Sequence, residues 1–149
     1  MRALLQRTTG ARVTVGDETV GAIGPGLVVL LGVGPRDDGA TAEALARRVA
    51  ELRIFRDAIS GRTDRSLLEV GGAVLLVSQF TLYADTRRGR RPGFTRAATP
   101  DHAEACYRSF GSALRALGVE VATGRFGAEM AVTLTNDGPF TIWLDTDER

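Results

Sequence analysis

The sequence has few residues of the types that most often carry catalysis or cross-links. Among its 149 residues there is one cysteine, Cys106, one histidine, His102, and no lysine. A single cysteine excludes a disulfide within the chain and a zinc site built from several cysteines. A single histidine leaves at most one imidazole base for a serine, threonine or cysteine nucleophile. Every basic residue is arginine, which we attribute to genomic base composition.

Long apolar runs are also missing. The longest one, residues 27–31, is far shorter than the roughly 20 residues that span a bilayer, and no signal-peptide core is present. We therefore expect a cytoplasmic protein without a membrane partner. A net charge of +1 argues neither for nor against nucleic acid. The length and the 44% hydrophobic content are typical of one domain over residues 1–149.

Alternating apolar residues and glycine turns over residues 3–33 indicate a meander of antiparallel strands. Asp38 and Thr99 are each placed to cap a helix with an apolar face. The sequence therefore predicts an α+β domain, with a curved, mostly antiparallel, barrel-like sheet and two covering helices. A sheet of this size under two helices leaves one face for a partner subunit, so we expect a dimer. Further strands are predicted at residues 73–77, 119–122, 130–134 and 140–144.

The predicted strand at residues 73–77 ends in an abrupt change of polarity. Ser78, Gln79 and Thr81 follow five apolar residues and surround Phe80. Polar groups at a strand end either bond to the neighbouring backbone or form a site. This segment alone leaves both interpretations open.

Residues 86–96 form an arginine-rich, glycine- and proline-containing loop with no acidic residue. Such a loop is often only a solvated surface. Its position after the polar strand end favours phosphate binding. The candidate phosphate-binding residues are Arg87, Arg88, Arg90 and Arg91.

Known catalytic motifs are absent. There is no HExxH, Walker A or GxGxxG pattern, so we expect no metal and no cofactor. His102 is predicted to be a surface residue in the first turn of the second helix, and Cys106 a packing residue. Catalysis would then rest on main-chain groups, on a hydroxyl such as Thr81, or on the substrate. Gly138-Pro139 is either a plain turn or a cis bond.

Several segments together resemble the D-aminoacyl-tRNA deacylase family, and they lie in the family's order over nearly the whole chain. The Ser-Gln-Phe-Thr and Gly-Pro motifs are specific as a pair. The matching segments are 24–27, 30–33, 52–55, 78–85, 89–92, 123–128 and 136–139.

The resemblance implies a homodimer that hydrolyses the ester between a D-amino acid, or glycine, and the 3′-terminal adenosine of tRNA. It implies a cis Gly138-Pro139 bond whose carbonyls enter the partner's pocket and exclude L side chains. Main-chain N–H groups near Phe80 and Thr81 would polarise the ester, and the tRNA 2′-hydroxyl would activate water. The implied catalytic residues are Ser78, Gln79, Phe80 and Thr81, and the implied substrate-binding residues are Asn136, Gly138, Pro139, Phe140 and Thr141.

Two residues depart from the family pattern. Phe140 stands where valine is usual, and Asp64 lies in a loop that usually carries Met-Asn. The sequence leaves open two alternatives to a deacylase that selects by chirality. One is a non-catalytic protein that binds the tRNA acceptor end through the arginine loop, and the other is a structural dimer with Gly138-Pro139 as an interface turn. A related deacylase for mischarged L-alanyl-tRNA is a variant of the first hypothesis.

Overall fold

The computed structural model of the chain describes residues 1–87 and 89–148. Within these residues lie eight strands, three α-helices and one 3₁₀-helix, Phe80–Tyr83. The strands are β1 (Arg2–Val15), β2 (Glu18–Ile23), β3 (Gly26–Gly32), β4 (Phe55–Arg56), β5 (Thr63–Arg65), β6 (Ala73–Ser78), β7 (Val121–Thr123) and β8 (Ala131–Asp145). The α-helices are α1 (Gly39–Glu51), α2 (Leu67–Val70) and α3 (Pro100–Ala116).

Strand β1 organises the sheet, because it pairs with β2, β3 and β8, each in antiparallel fashion. Beyond β3 the pairing changes: β3 with β6 and β6 with β7 are parallel. The result is the predicted single α+β domain, with a curved and nearly closed sheet. All five apolar residues of β6 are buried, as a continuous apolar run in a parallel strand predicts.

Helices α1 and α3 cover one face of the sheet, as predicted. Asp38 caps α1, since its carboxylate accepts a hydrogen bond of 2.8 Å from Thr41 N. The core between the two layers includes Leu45 and Val49 of α1 and Phe110 and Leu114 of α3. No helix among the described residues is long and apolar enough to span a membrane.

Three details differ from the predicted elements. The prediction of two helices missed α2, which forms because Ser66 and Glu69 make a reciprocal capping box. The strand predicted at residues 119–122 begins at Val121. The two strands predicted at 130–134 and 140–144 are one strand, β8, interrupted by a bulge.

The bulge in β8 is defined by its register against β1. Asn136 lies opposite Thr8 and Thr141 lies opposite Gln6, so four residues of β8, 137–140, face the single residue Arg7 of β1. Extra residues in one strand leave the ladder and project from it. The Gly138-Pro139 motif is thereby presented outside the ladder.

Candidate functional site

A largely apolar cavity of about 530 Å³ opens at the end of β6. Ser78, Gln79 and Phe80 form one edge, and the remaining wall comes from residues 31–33, Val77, residues 94–107 and residues 126–132. Aromatic side chains in this wall are Phe80, Phe94, Tyr107 and Phe126. An apolar space with a few polar groups at one edge is typical of a small-ligand site.

The segment that follows β6 exposes main-chain donors beside this cavity. Gln79 N still donates to Leu31 O at 2.8 Å, and the next hydrogen bond of the segment is from Leu82 N to Gln79 O. Among the described residues, neither Phe80 N nor Thr81 N donates a backbone hydrogen bond. The first N–H groups of a helical turn have no partner within it. These two are therefore available to a ligand oxygen.

Thr81 itself does not line the cavity. Its hydroxyl accepts a hydrogen bond from the Gln79 side-chain amide and so helps to fix the position of that side chain. The Phe80 ring is 56% exposed and meets Phe94 edge to face, with 5.0 Å between ring centroids. Three of the four predicted catalytic residues thus face the cavity, and the fourth holds one of them.

The predicted substrate-binding residues form a second structure, the bulge of β8. The Gly138-Pro139 peptide bond is cis, as the resemblance implies. Asn136 closes the bulge, because its amide nitrogen donates to Arg7 O at 3.0 Å and to Phe140 O at 3.1 Å. Thr141 Oγ1 lies 3.5 Å from Asn136 Oδ1. None of these β8 residues lines the cavity of its own chain.

Arg7 anchors the bulge, and the sequence analysis did not identify it. Its side chain is buried, forms an ion pair of 2.9 Å with Asp137 Oδ2, and donates to Ile54 O at 2.6 Å and to Gly138 O at 3.4 Å. The guanidinium also stacks on Phe140, 4.5 Å from the ring centroid. The available signal was an arginine at an inward position of an alternating strand, where a charge needs partners.

Gly138 has free space around it within the chain. Apart from its two chain neighbours, no atom of the described residues lies within 4 Å of a Cβ built there, and the backbone angles do not lie in the left-handed region. Gly138 and Pro139 are both exposed. The fold of a single chain therefore does not require glycine at this position.

The arginine loop is only partly free to bind a ligand. Arg87 is paired with Asp85, with its Nη2 2.6 Å from Oδ2, and this pairing lowers the pKa of the Asp85 carboxyl below its usual value. Arg90 and Arg91 are exposed and form no ion pair with any described residue. Arg88 lies outside the described residues.

Titratable groups at the cavity are few. Tyr107 is the one such group that the described residues contribute to its wall, and burial raises the pKa of its hydroxyl to about 12. His102 lies outside the cavity and is not a free surface residue as predicted, because its Nε2 is 2.7 Å from Asp37 O. Cys106 is buried, as predicted. No metal-binding cluster of acidic, histidine or cysteine side chains occurs within residues 1–87 and 89–148.

Of the two departures from the family pattern, Phe140 contacts the bulge anchor directly. Phe140 supplies the ring under Arg7. Asp64 lies in strand β5 and not in a loop as predicted, and its buried Oδ1 has no hydrogen-bond partner among the described residues. Strand β5 pairs with β4. Strand β4 directly follows Ile54, whose carbonyl accepts a hydrogen bond from Arg7.

Comparison with known proteins defines the class. The sequence model described as D-Tyr-tRNA(Tyr) deacylase matches residues 4–145. A protein of Symbiobacterium thermophilum named D-aminoacyl-tRNA deacylase is 60% identical over 148 residues, which cover 99% of this chain and 97% of the relative. The chain belongs to this deacylase family, whose members are hydrolases, and the predicted resemblance is thereby confirmed.

Two solved structures share the fold. One, titled c-Myc DNA Unwinding Element Binding Protein, superposes with a TM-score of 0.90 at 39% identity and covers 98% of this chain and 99% of its own. A second, titled as a probable eukaryotic D-amino acid tRNA deacylase, has a TM-score of 0.84 at 21% identity and covers 96% of this chain and 97% of its own. The second similarity supports the fold alone.

Proposed function

We propose that the protein removes D-amino acids, and glycine mischarged on tRNA-Ala, from the 3′ end of tRNA in the cytoplasm. In this proposal it is a homodimer in which the Gly138-Pro139 bulge of each chain enters the cavity of the other. The reaction is hydrolysis of the ester. Water adds to the carbonyl carbon, the bond to the ribose 3′-oxygen breaks, and that oxygen takes the proton to leave free tRNA.

The observation that carries this proposal is the separation of the two halves of the site within one chain. The cavity is open and lacks the bulge, whereas the bulge is exposed and rigidly anchored by Arg7 and Asn136. Gly138 has no neighbour that would exclude a side chain. A close approach to something outside the chain explains the glycine, and a symmetric dimer supplies it twice.

Selection by exclusion follows from the proposed geometry. Carbonyl groups of Gly138 and Pro139 would face the α-carbon of the bound aminoacyl group and collide with an L side chain. A hydrogen atom or a D side chain would be directed elsewhere. Arg7 would keep the Gly138 carbonyl in place, because it binds that oxygen from inside the chain. The Phe140 ring packs against the Arg7 guanidinium. In this proposal the ring therefore belongs to the anchor of the bulge and does not cover the two carbonyl groups.

Ester activation would come from the backbone. Phe80 lines the cavity, and neither its N–H nor that of the next residue, Thr81, forms a backbone hydrogen bond among the described residues. Two such donors would stabilise the oxyanion that forms when water attacks. Within the part of the chain that the structure describes, no imidazole or carboxylate lines the cavity. The ribose 2′-hydroxyl of the substrate, which stands next to the ester, would therefore position the attacking water. Arg90 and Arg91 would bind phosphates of the acceptor stem.

The experiment is deacylation of matched D-tyrosyl-tRNA and L-tyrosyl-tRNA by the purified protein in the presence of a chelator. Rapid loss of the D ester alone supports the proposal. Hydrolysis of neither ester, with salt-dependent tRNA binding retained, would favour a binding protein. Hydrolysis of L-alanyl-tRNA in preference to both D esters would indicate the related L-alanyl deacylase.

A further inference from the structure

A second cleft lies directly behind the aromatic wall of the cavity. It has a volume of about 540 Å³ and is formed by α3, β7 and residues 124–126. Tyr107 and Phe126 line both spaces, and their ring centroids are 5.6 Å apart. One layer of aromatic side chains therefore separates the cavity from this cleft, which we call the arginine cleft.

The arginine cleft has a positive lining. Arg108, Arg115 and Arg125 contribute guanidinium groups, and Glu104 is the acidic residue in the lining. Guanidinium groups are planar, permanently charged and able to give two parallel hydrogen bonds to a phosphate. A positively charged groove that follows the backbone is typical of sites for single-stranded nucleic acid.

Arg115 is the most available of the three. Its Nη2 donates to Val121 O at 3.3 Å, and no carboxylate among the described residues forms an ion pair with it. Its Nη1 lies over Gly111, 3.4 Å from where a side chain at that position would begin. The absence of a side chain at Gly111 thus leaves room for the guanidinium at the floor of the cleft.

The other two arginines have partners that a ligand can replace. Arg108 pairs with Glu104 at 2.7 Å and Arg125 pairs with Glu18 at 3.1 Å. All four side chains are at the surface, where ion pairs contribute little to stability. Exchange of a carboxylate for a phosphate therefore costs little.

We propose that the arginine cleft binds the backbone phosphates that precede the terminal adenosine of the substrate tRNA. The inference rests on the proposed function, because the aminoacyl-adenosine in the cavity is tied to the rest of the strand through its 5′-phosphate. Phe126 is partly exposed and lines both spaces, so a strand that leaves the cavity past this residue would enter the arginine cleft. The motif at residues 123–128, which the catalytic proposal leaves without a role, supplies the turn between the two spaces.

The test compares two substrates. D-Tyrosyl-tRNA carries the phosphates, and D-tyrosyl-adenosine carries the same ester without them. For Arg108→Gln/Arg115→Gln we expect a higher KM with D-tyrosyl-tRNA, an unchanged kcat, and unchanged hydrolysis of D-tyrosyl-adenosine. Raising the salt concentration from 50 to 200 mM should increase the KM of both proteins. The increase should be roughly sevenfold greater for the wild type, because the variant has lost two contacts to phosphates of a single strand.

Two further variants control for charge and folding. Arg36→Gln/Arg48→Gln removes the same charge at surface positions outside both spaces and should keep the wild-type salt dependence. Glu104→Gln removes the carboxylate that competes for Arg108 and should lower the KM for D-tyrosyl-tRNA. Melting temperatures show whether each variant is folded.

An unchanged KM and salt dependence in Arg108→Gln/Arg115→Gln, or an equal loss with D-tyrosyl-adenosine, would overturn the inference while leaving the deacylase proposal intact. A KM for Glu104→Gln that does not fall would also count against it. A wild-type protein that hydrolyses neither D ester would instead refute the proposed function, on which the inference depends.

Discussion

Replacement of Arg7 should affect both stability and chiral selection. In Arg7→Leu the buried Ile54 carbonyl loses its donor, which costs about 1–3 kcal/mol. Loss of the pair with half-exposed Asp137 adds about 0–1 kcal/mol, and loss of the contact with Phe140 adds about 0.5–1 kcal/mol. Part of this is returned by burial of the leucine side chain. We expect a net destabilisation of about 1–4 kcal/mol, measured by urea unfolding.

The selective effect is best seen in Arg7→Lys, which keeps the charge but not the planar set of donors. A lysine ammonium can pair with Asp137 but cannot also hold the Ile54 and Gly138 carbonyls. We expect a folded protein whose ratio of D- to L-tyrosyl-tRNA deacylation falls by about tenfold or more, equivalent to about 1.4 kcal/mol in the difference between the two transition states. The assay is single-turnover deacylation of both esters. Wild-type discrimination in a folded Arg7→Lys protein would refute the role given to Arg7.

Three further variants test other parts of the site. Gly138→Ala should leave the free energy of unfolding of a single chain within about 0.5 kcal/mol yet reduce turnover at least tenfold, whereas equal activity would show that nothing approaches this glycine. Thr81→Ala should retain turnover within about tenfold if the backbone N–H groups activate the ester, and a fall to the uncatalysed rate would make the hydroxyl a participant. The pKa of Tyr107 is raised from 10.0 to about 12 in the folded chain, so its contribution to stability is complete below pH 10 and is lost as the pH rises towards 12. The free energy of unfolding should therefore decline less over that range in Tyr107→Phe than in the wild type. Identical declines in the two proteins would contradict the raised pKa.

Local patterns in the sequence were sufficient for much of the fold. The Asp38 cap, the buried run of β6 and the apolar faces of α1 and α3 each depend on neighbouring residues, so each could be predicted. The bulge in β8 could not, because it depends on a long-range register in which 137–140 lie opposite Arg7. A turn and a bulge look alike in sequence when both contain Asn-Asp-Gly-Pro.

The site residues also fall into those that the sequence could identify and those that depend on the folded structure. The change of polarity at Ser78, Gln79 and Phe80 left a strand edge and a site both open, and the family resemblance favoured the site. All three residues line the cavity. Arg7 was missed because its partners are backbone carbonyls at residues 54 and 138, which have no sequence signature. The arginine cleft was missed because its guanidinium groups come from one helix and one turn that meet only in the folded chain.

The most direct test of the shared site is a mixture of two inactive variants. Gly138→Phe spoils the bulge at a position with free space in its own chain, and Ala97→Trp fills the cavity. Each variant alone should fail to deacylate D-tyrosyl-tRNA. In a symmetric dimer that shares its sites, an equal mixture unfolded and refolded together should regain about a quarter of wild-type activity, since half of the dimers are mixed and each has one intact site. A mixture that forms mixed dimers but stays inactive would show that each site lies within one chain and would contradict the account.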